Sequence, residues 1–333
     1  MVDGSGMLRR LVSALGAAAV AGALAVAPAT PAAAATTPCL PSAPSPTCLV
    51  WTGKVVRVND GDTLSVDVAG DGTTTPRSIR LINAQAMEQT VYSSVVQRRR
   101  GECHSLAATA RLEQLVKAGG GVVRLTAQQA SSSSRSRPLR SVAVRINGSW
   151  HDVGLDLMRR GLALWQPFGA EWAWNSRYRL AQAQAARDGV NLFDSDACGS
   201  GPFQSSPLGV VVNYDADGAD ERNLNGEWVR VDNGSAVPVP VAGWWVRDSA
   251  LRRYTFPAGT VLPARGAVYV HVGSGTPTAT HKYWGQTAPV FDNPTFDQQA
   301  HGDGAYLFDP RGDLRAWMQY PCVLSCPVTP TRR

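Results

Sequence analysis

The chain has 333 residues, 44% hydrophobic and 17% charged, which excludes a disordered or fibrous protein and leaves room for two globular domains. The formal net charge is +6, carried by 29 Arg and 3 Lys against 26 acids. An excess of that size points to no partner until its distribution along the chain is known.

Met1–Arg10 carries Arg9 and Arg10, an Ala/Leu/Val stretch runs to about Val26, and Pro31–Ala35 supplies small residues suited to cleavage. This is the pattern of a secretory signal peptide over residues 1–35. The stretch is too short and too rich in Ala and Gly for a membrane anchor. No later run approaches spanning length, so no stable membrane span is expected in the mature protein. The expected location is extracellular, free or associated with the cell wall. Disulfides persist there, and six cysteines follow: Cys39, Cys48, Cys103, Cys198, Cys322 and Cys326. Sequence alone cannot choose among the pairings. Proximity favours Cys39–Cys48 and Cys322–Cys326, leaving Cys103–Cys198 across the first domain. No histidine accompanies Cys322 and Cys326, which argues against zinc.

After a Pro/Ser/Thr-rich lead-in (36–49), the first domain is expected over 50–198. Strands are read at Thr52–Asn59, Leu64–Ala69 and Ser78–Ala84, the last two forming a hairpin across a Gly/Asp/Thr-rich turn. A polar insertion, Gln89–Cys103, includes Arg98–Arg100, read as solvated surface. The helix Ser105–Lys117 sets Leu106, Leu112, Leu115 and Val116 near one face and ends at Gly119-Gly120-Gly121. Val122–Thr126 is a strand, Gln128–Arg137 a Ser/Arg loop, and Leu139–Ile146 a strand that turns at Asn147-Gly148 into Ser149–Val153. Helices are expected at Val153–Arg160 and Trp172–Arg187. Strands first, then helices, indicate an α+β domain built on a small barrel.

A Gly/Pro/Ser linker (199–207) leads to a second domain over 208–322 and a tail (323–333). Short β-rich runs at Val210–Asn213, Glu227–Asp232, Gly243–Asp248, Ala267–Val272 and Ala305–Asp309 are separated by Gly, Pro, Asn and Asp. That is the signature of an all-β sandwich, so the fold class is multi-domain. Its tryptophans are read as core, and the Asp215–Asp220 acids, lacking EF-hand spacing, as a polar turn. Charge divides with the domains. Val50–Ser200 holds 19 basic and 13 acidic residues, net +6, while Ser205–Cys322 holds 9 and 12, net −3. The first half is therefore the one suited to a polyanion.

Chemistry concentrates in Asn59–Glu88. Asp60 and Asp62 flank Gly61 at a strand entry, Arg80 lies on the second hairpin strand, and Glu88 follows it. Folding the hairpin brings carboxylates beside an arginine, a combination suited to a hard cation next to a phosphate.

These residues carry a resemblance. Asn59-Asp60-Gly61-Asp62-Thr63, Ile79-Arg80-Leu81-Ile82 with Glu88, Ser136-Arg137-Pro138-Leu139-Arg140, Asp156–Ala163 and Ala181–Phe193 together resemble the staphylococcal-nuclease (thermonuclease-like) family over roughly Trp51–Phe193. The resemblance implies an OB-type five-stranded barrel with three helices that cleaves DNA and RNA with calcium. It makes Asp62 a metal ligand, Asp60 its electrostatic support, Arg80 and Arg140 the phosphate-binding pair, and Glu88 the base acting on water. Arg137 is the alternative second arginine, because the Ser/Arg loop leaves the register open. One departure stands out: Gln85 occupies the family's second metal-binding aspartate position, so Gln85 and the Ala86 carbonyl would complete the calcium site with less charge. Gln85 also keeps a second reading open, a binding module for nucleic acid or protein without catalysis.

The second domain resembles lamin-tail domains, immunoglobulin-like sandwiches, through Asn223–Val229, Gly243–Asp248, Tyr254–Thr260 and Gly302–Leu307. In secreted proteins this resemblance implies an accessory or attachment module that contacts the cell envelope or another protein. A surface-attachment protein led by this domain is the third reading.

Overall fold

A computed structural model describes residues 35–41, 44–194, 197–198, 203–297 and 299–324. The expected signal peptide up to residue 34, linker residues 199–202, Cys326 with its expected pairing, and the tail from residue 325 lie outside the described residues.

Five strands close the first domain: β1 (Thr47–Val58), β2 (Thr63–Val68), β3 (Arg77–Leu81), β4 (Val122–Ala127) and β5 (Arg137–Ile146). Each pairs with two neighbours in the ring β1-β2-β3-β5-β4. Closure depends on the long β1, whose first half pairs with β4 and second half with β2. Gly53 takes part in both pairings. A Cβ there would lie 2.7 Å from the Asp67 carbonyl, so only glycine lets the strands approach at the crossover. A register shift between Val55 and Arg57 bends the strand further. Only the β3–β5 contact is parallel within the ring, with Leu139 opposite Arg80 and Arg140 opposite Leu81.

Alternate residues point inward, and Leu64, Val66, Ile79, Leu81, Leu125, Val142 and Val144 are buried. The helix α1 (Ser105–Ala118) lays Ala108, Leu112, Leu115 and Val116 on this core. Leu106, expected on that face, is exposed, because residue 108 rather than 106 shares a side with 112 at 3.6 residues per turn. Helix α2 (Val153–Arg159) starts at Asp152, whose carboxylate accepts the Leu155 N–H at 3.0 Å. The expected third helix begins later, as α3 (Asn175–Arg187), after a 3-10 segment at Gly169–Trp174 that is broken at Glu171. The Asn147-Gly148 turn has positive φ at both residues, as a two-residue hairpin requires. The lead-in is more structured than its composition implied. Ala35–Pro38 pairs with Thr47–Val50, and the Cys39–Cys48 disulfide staples the turn.

The second domain is a sandwich of two four-stranded sheets. One is ordered β6 (Leu208–Asn213), β7 (Trp228–Asn233), β10 (Ala267–His271), β11 (His281–Tyr283). The other is ordered β9 (Arg253–Thr255), β8 (Trp245–Asp248), β12 (Asp303–Phe308), β13 (Leu314–Tyr320). Val229, Val231, Val268 and Val270 of one sheet and Val246, Leu307, Ala316 and Met318 of the other form its core. Trp245 points elsewhere. It joins Tyr306, Phe308 and Leu314 in a buried cluster with Met87, Leu164, Leu192 and Phe193 of the first domain. Across this seam Gln182 Nε2 donates to Tyr306 Oη at 3.0 Å, and Asn175 Nδ2 to the Gln299 carbonyl at 2.9 Å. The Cys103–Cys198 disulfide lies beside it, with the Cys198 N–H on Asp313 Oδ1 at 2.9 Å. Buried apolar area joins the two domains, where composition indicated only a linker. Among the described residues no helix is long and apolar enough to cross a membrane.

Candidate active site

Asp60 and Asp62 sit in the turn that reverses β1 into β2. The turn is closed by the Asn59 N–H on the Thr63 carbonyl at 2.9 Å and by the Asp62 N–H on Asp60 Oδ1 at 3.2 Å. Gly61 presses against α1 and the Ala86 segment. A Cβ there would meet Ala108 and Ala86 at 2.6 Å, so any larger residue would lift both acids out of place.

Arg80 is registered opposite Thr63, and its Nη1 meets Asp62 Oδ1 at 2.5 Å with both side chains buried. Thr63 Oγ1 donates to the same carboxylate oxygen at 3.0 Å, and the Ala86 N–H to Oδ2 at 2.8 Å. Burial pushes the Asp62 carboxyl up, with the Arg80 guanidinium pulling it down and Asp60 adding to the rise. Gln85, fully buried, accepts a second Arg80 N–H on Oε1. Its Nε2 donates to the Ala86 carbonyl at 3.0 Å and to Glu88 Oε1 at 3.3 Å. Glu88 is half-buried and is oriented by exchange with Glu102: its N–H donates to Glu102 Oε2 at 3.1 Å, and its carbonyl accepts the Glu102 N–H at 2.9 Å.

A cavity of about 320 Å³ is lined by Asp60, Arg80, Gln85, Glu88 and Arg137. It adjoins a groove of about 750 Å³ that shares Asp60, Tyr92 and Arg137 and adds Arg57 and Arg99. The guanidiniums of Arg80, Arg135 and Arg137 and the carboxylates of Asp60 and Glu88 thus line one small volume at the end of a groove bearing three arginines.

The structure does not bring Arg140 into this group. Residues paired across a sheet share a face, and side chains alternate along each strand. Leu139 is opposite Arg80, so Arg137, two residues earlier, shares the Arg80 face. Arg140, opposite Leu81, takes the other. Its guanidinium stacks 4.4 Å from the Trp51 ring and donates to the carbonyls of Leu139 (2.6 Å), Ala130 (2.9 Å) and Ser132 (3.3 Å). Together with Glu171, which accepts the N–H groups of Gln128 and Gln129, Arg140 anchors the loop that delivers Arg137. Arg137 itself reaches Thr63 Oγ1 at 3.4 Å.

The four expected metal donors do not fit a calcium shell. Calcium takes six to eight oxygens. Here the Asp62 oxygens already bind Arg80, Thr63 and Ala86, the Gln85 oxygen binds Arg80, and the Ala86 carbonyl accepts from Gln85. Asp60 accepts the Asp62 N–H on Oδ1 and lines the cavity. Arg80 binds both Asp62 and Gln85, so its guanidinium already supplies the positive charge between these two side chains. Among the described residues, one group of three His, Cys or acidic side chains has ligand atoms close enough to share an ion. It is Cys103, His104 and Cys198, in which both sulfurs are committed to the disulfide. Millimolar calcium is therefore expected to leave the melting temperature of the wild-type protein unchanged and to raise that of a Gln85→Asp variant. A calcium-dependent rise in the wild type overturns this account of the donors.

Tyr92, within the insertion read as polar surface, was missed. Its ring is exposed at the rim, and its phenol is pushed up by partial burial and by Asp60, Glu88 and Asp62. Nothing in its local pattern distinguishes it. Ala250 and Leu251, which also line the cavity, belong to the other domain.

The folds and the site define a multi-domain α+β protein with a closed five-stranded barrel, three helices and a separate β-rich domain. The family model of the lamin tail domain matches residues 204–322, so the sandwich is a lamin tail domain. No curated protein matches the chain.

Proposed function

We propose that the barrel domain hydrolyses phosphodiester bonds in DNA and RNA with little sequence preference, as its resemblance to the thermonuclease-like family implies, in an exported protein. The observation that carries this reading is the convergence on one cavity of Arg80 and Glu88, from one hairpin strand and its exit, with Arg137 from a segment far along the chain. A phosphodiester seated there would place its anionic oxygens between two guanidiniums, which offset charge that grows in the transition state. Glu88, oriented by Glu102 and Gln85, would take the proton of the attacking water. The Asp62–Arg80 pair positions that guanidinium. Calcium would supply Lewis-acid charge in the thermonuclease scheme, but the donors described above do not fit it, and no step here passes through it. The basic groove would track the neighbouring phosphates without reading sequence. The Cys39–Cys48 and Cys103–Cys198 disulfides support an oxidising, extracellular setting.

Incubation of the purified protein with a labelled single-stranded oligonucleotide tests the reading, and an intact substrate overturns it. Arg137→Ala is expected to lower kcat about 10²–10³-fold, the size of losing one charge-stabilising donor, with its melting temperature unchanged. Arg140→Ala is expected to do the reverse, lowering stability by about 1–3 kcal/mol through orphaned carbonyls while retaining more activity. Equal effects of the two on rate would remove the face assignment.

A further inference from the structure

Ala250 and Leu251 lie in the turn between β8 and β9 of the lamin tail domain, yet they form one wall of the cavity that holds Arg80, Glu88 and Arg137. The turn is held from several directions. Asp248 accepts the Arg252 backbone N–H at 2.7 Å and its Nε at 2.5 Å, and the Arg252 guanidinium donates onward to the Pro289 carbonyl at 3.0 Å. The Ser249 N–H donates to Asp303 Oδ1 at 3.0 Å. Leu251 has φ +74°, a left-handed backbone that bulky residues rarely adopt. An apolar side chain is thus kept at the cavity rim by a braced turn, at a position that local backbone preference would assign to glycine.

A second observation comes from Arg247 on β8. Its guanidinium is buried against the Phe308 ring at 5.4 Å, and its Nε and Nη2 lack hydrogen-bond partners. Among the acids whose fields act on it, Glu102 and Glu88 belong to the barrel, and Asp248 is its own neighbour. Burial pushes the Arg247 guanidinium down, and the barrel-domain carboxylates of Glu102 and Glu88 act against that shift from across the seam. The apolar cluster of Met87, Trp245 and Phe308 lies under the same seam, so the wall is fixed to the site by buried contact.

We infer that the lamin tail domain is a component of the site, and that its Ser249–Leu251 turn selects which phosphodiesters reach Glu88. The inference rests on the phosphodiesterase reading and deepens it. A cavity of about 320 Å³ is at the small end for a single bound ligand group. A flexible strand can turn one phosphate into it past Leu251. A duplex is stiff over about 150 base pairs and cannot fold its backbone around that wall.

The test compares cleavage of a short single-stranded oligonucleotide with cleavage of the same sequence as a blunt duplex, using the full chain. Leu251→Gly removes the wall and suits the backbone, so the fold is retained, as melting would verify. The ratio of duplex to single-strand kcat/KM is expected to rise about 10-fold or more, the scale of a steric pocket contact, and Leu251→Trp is expected to lower it. An unchanged ratio in both variants overturns the wall, with the phosphodiesterase reading intact. Failure of the wild type to cleave either substrate overturns that reading and this inference with it.

Discussion

Glu88→Gln is expected to lower kcat on a single-stranded oligonucleotide by about 10²–10⁴-fold, the range for losing a general base, and to leave the melting temperature within a degree or so of wild type. The substitution keeps shape and one acceptor. Glu88 Oε1 accepts from Gln85 Nε2 at 3.3 Å, and an amide oxygen at the same place accepts that bond equally. The Glu88–Glu102 exchange uses the backbone of residue 88, so it survives too. What disappears is the capacity to receive a proton from water. KM should move little, because the arginines hold the phosphate. A rate within a few-fold of wild type would place the base elsewhere, and Asp60, the other acid lining the cavity, would be examined next.

Arg80→Met is expected to harm stability and activity together, and a second substitution separates the two. Asp62 is buried, and among the described residues Arg80 is the one guanidinium paired with it. Removing one partner of a buried pair costs about 3–5 kcal/mol, because the remaining charge is left without compensation. Against a total stability of about 5–15 kcal/mol, that is a large loss, visible in a denaturant midpoint. Activity should fall further than the folded fraction accounts for, since Arg80 also faces the cavity. Adding Asp62→Asn removes the orphaned charge. The double variant should recover much of the stability, in keeping with paired removal being nearly neutral, and none of the activity. Stability unaffected by Arg80→Met would contradict the buried pair, and activity restored in the double variant would remove Arg80 from phosphate binding.

Local signals were readable wherever a short-range constraint produced them. The D-G-D turn, the Asn147-Gly148 hairpin and the helix ending at Gly119 all follow from backbone preferences of a few residues. Alternation in Glu227–Asp232 and Ala267–Val272 was enough to indicate half-buried strands of a sandwich. The Cys39–Cys48 disulfide is formed as proximity favoured, and Cys103–Cys198 is the pair that proximity left over. Leu106 was misplaced because a 14-residue helix with only moderate amphipathicity admits more than one face.

The acids, the arginine on the hairpin strand, Glu88 and the uncharged Gln85 are legible in the sequence alone, because they share one hairpin and its exit. Which arginine joins them was decided by strand register. The Ser/Arg loop fixes no parity, and one residue of shift exchanges the faces of Arg137 and Arg140. Whether the donors remain free for a cation was decided by packing, which drives Arg80 between Asp62 and Gln85. The wall at Leu251 was decided by the docking of a second domain, a contact between surfaces that leaves no periodicity in either segment. Short-range preferences are written into neighbouring residues; the closure of this cavity arises from apolar burial between residues far apart in the chain.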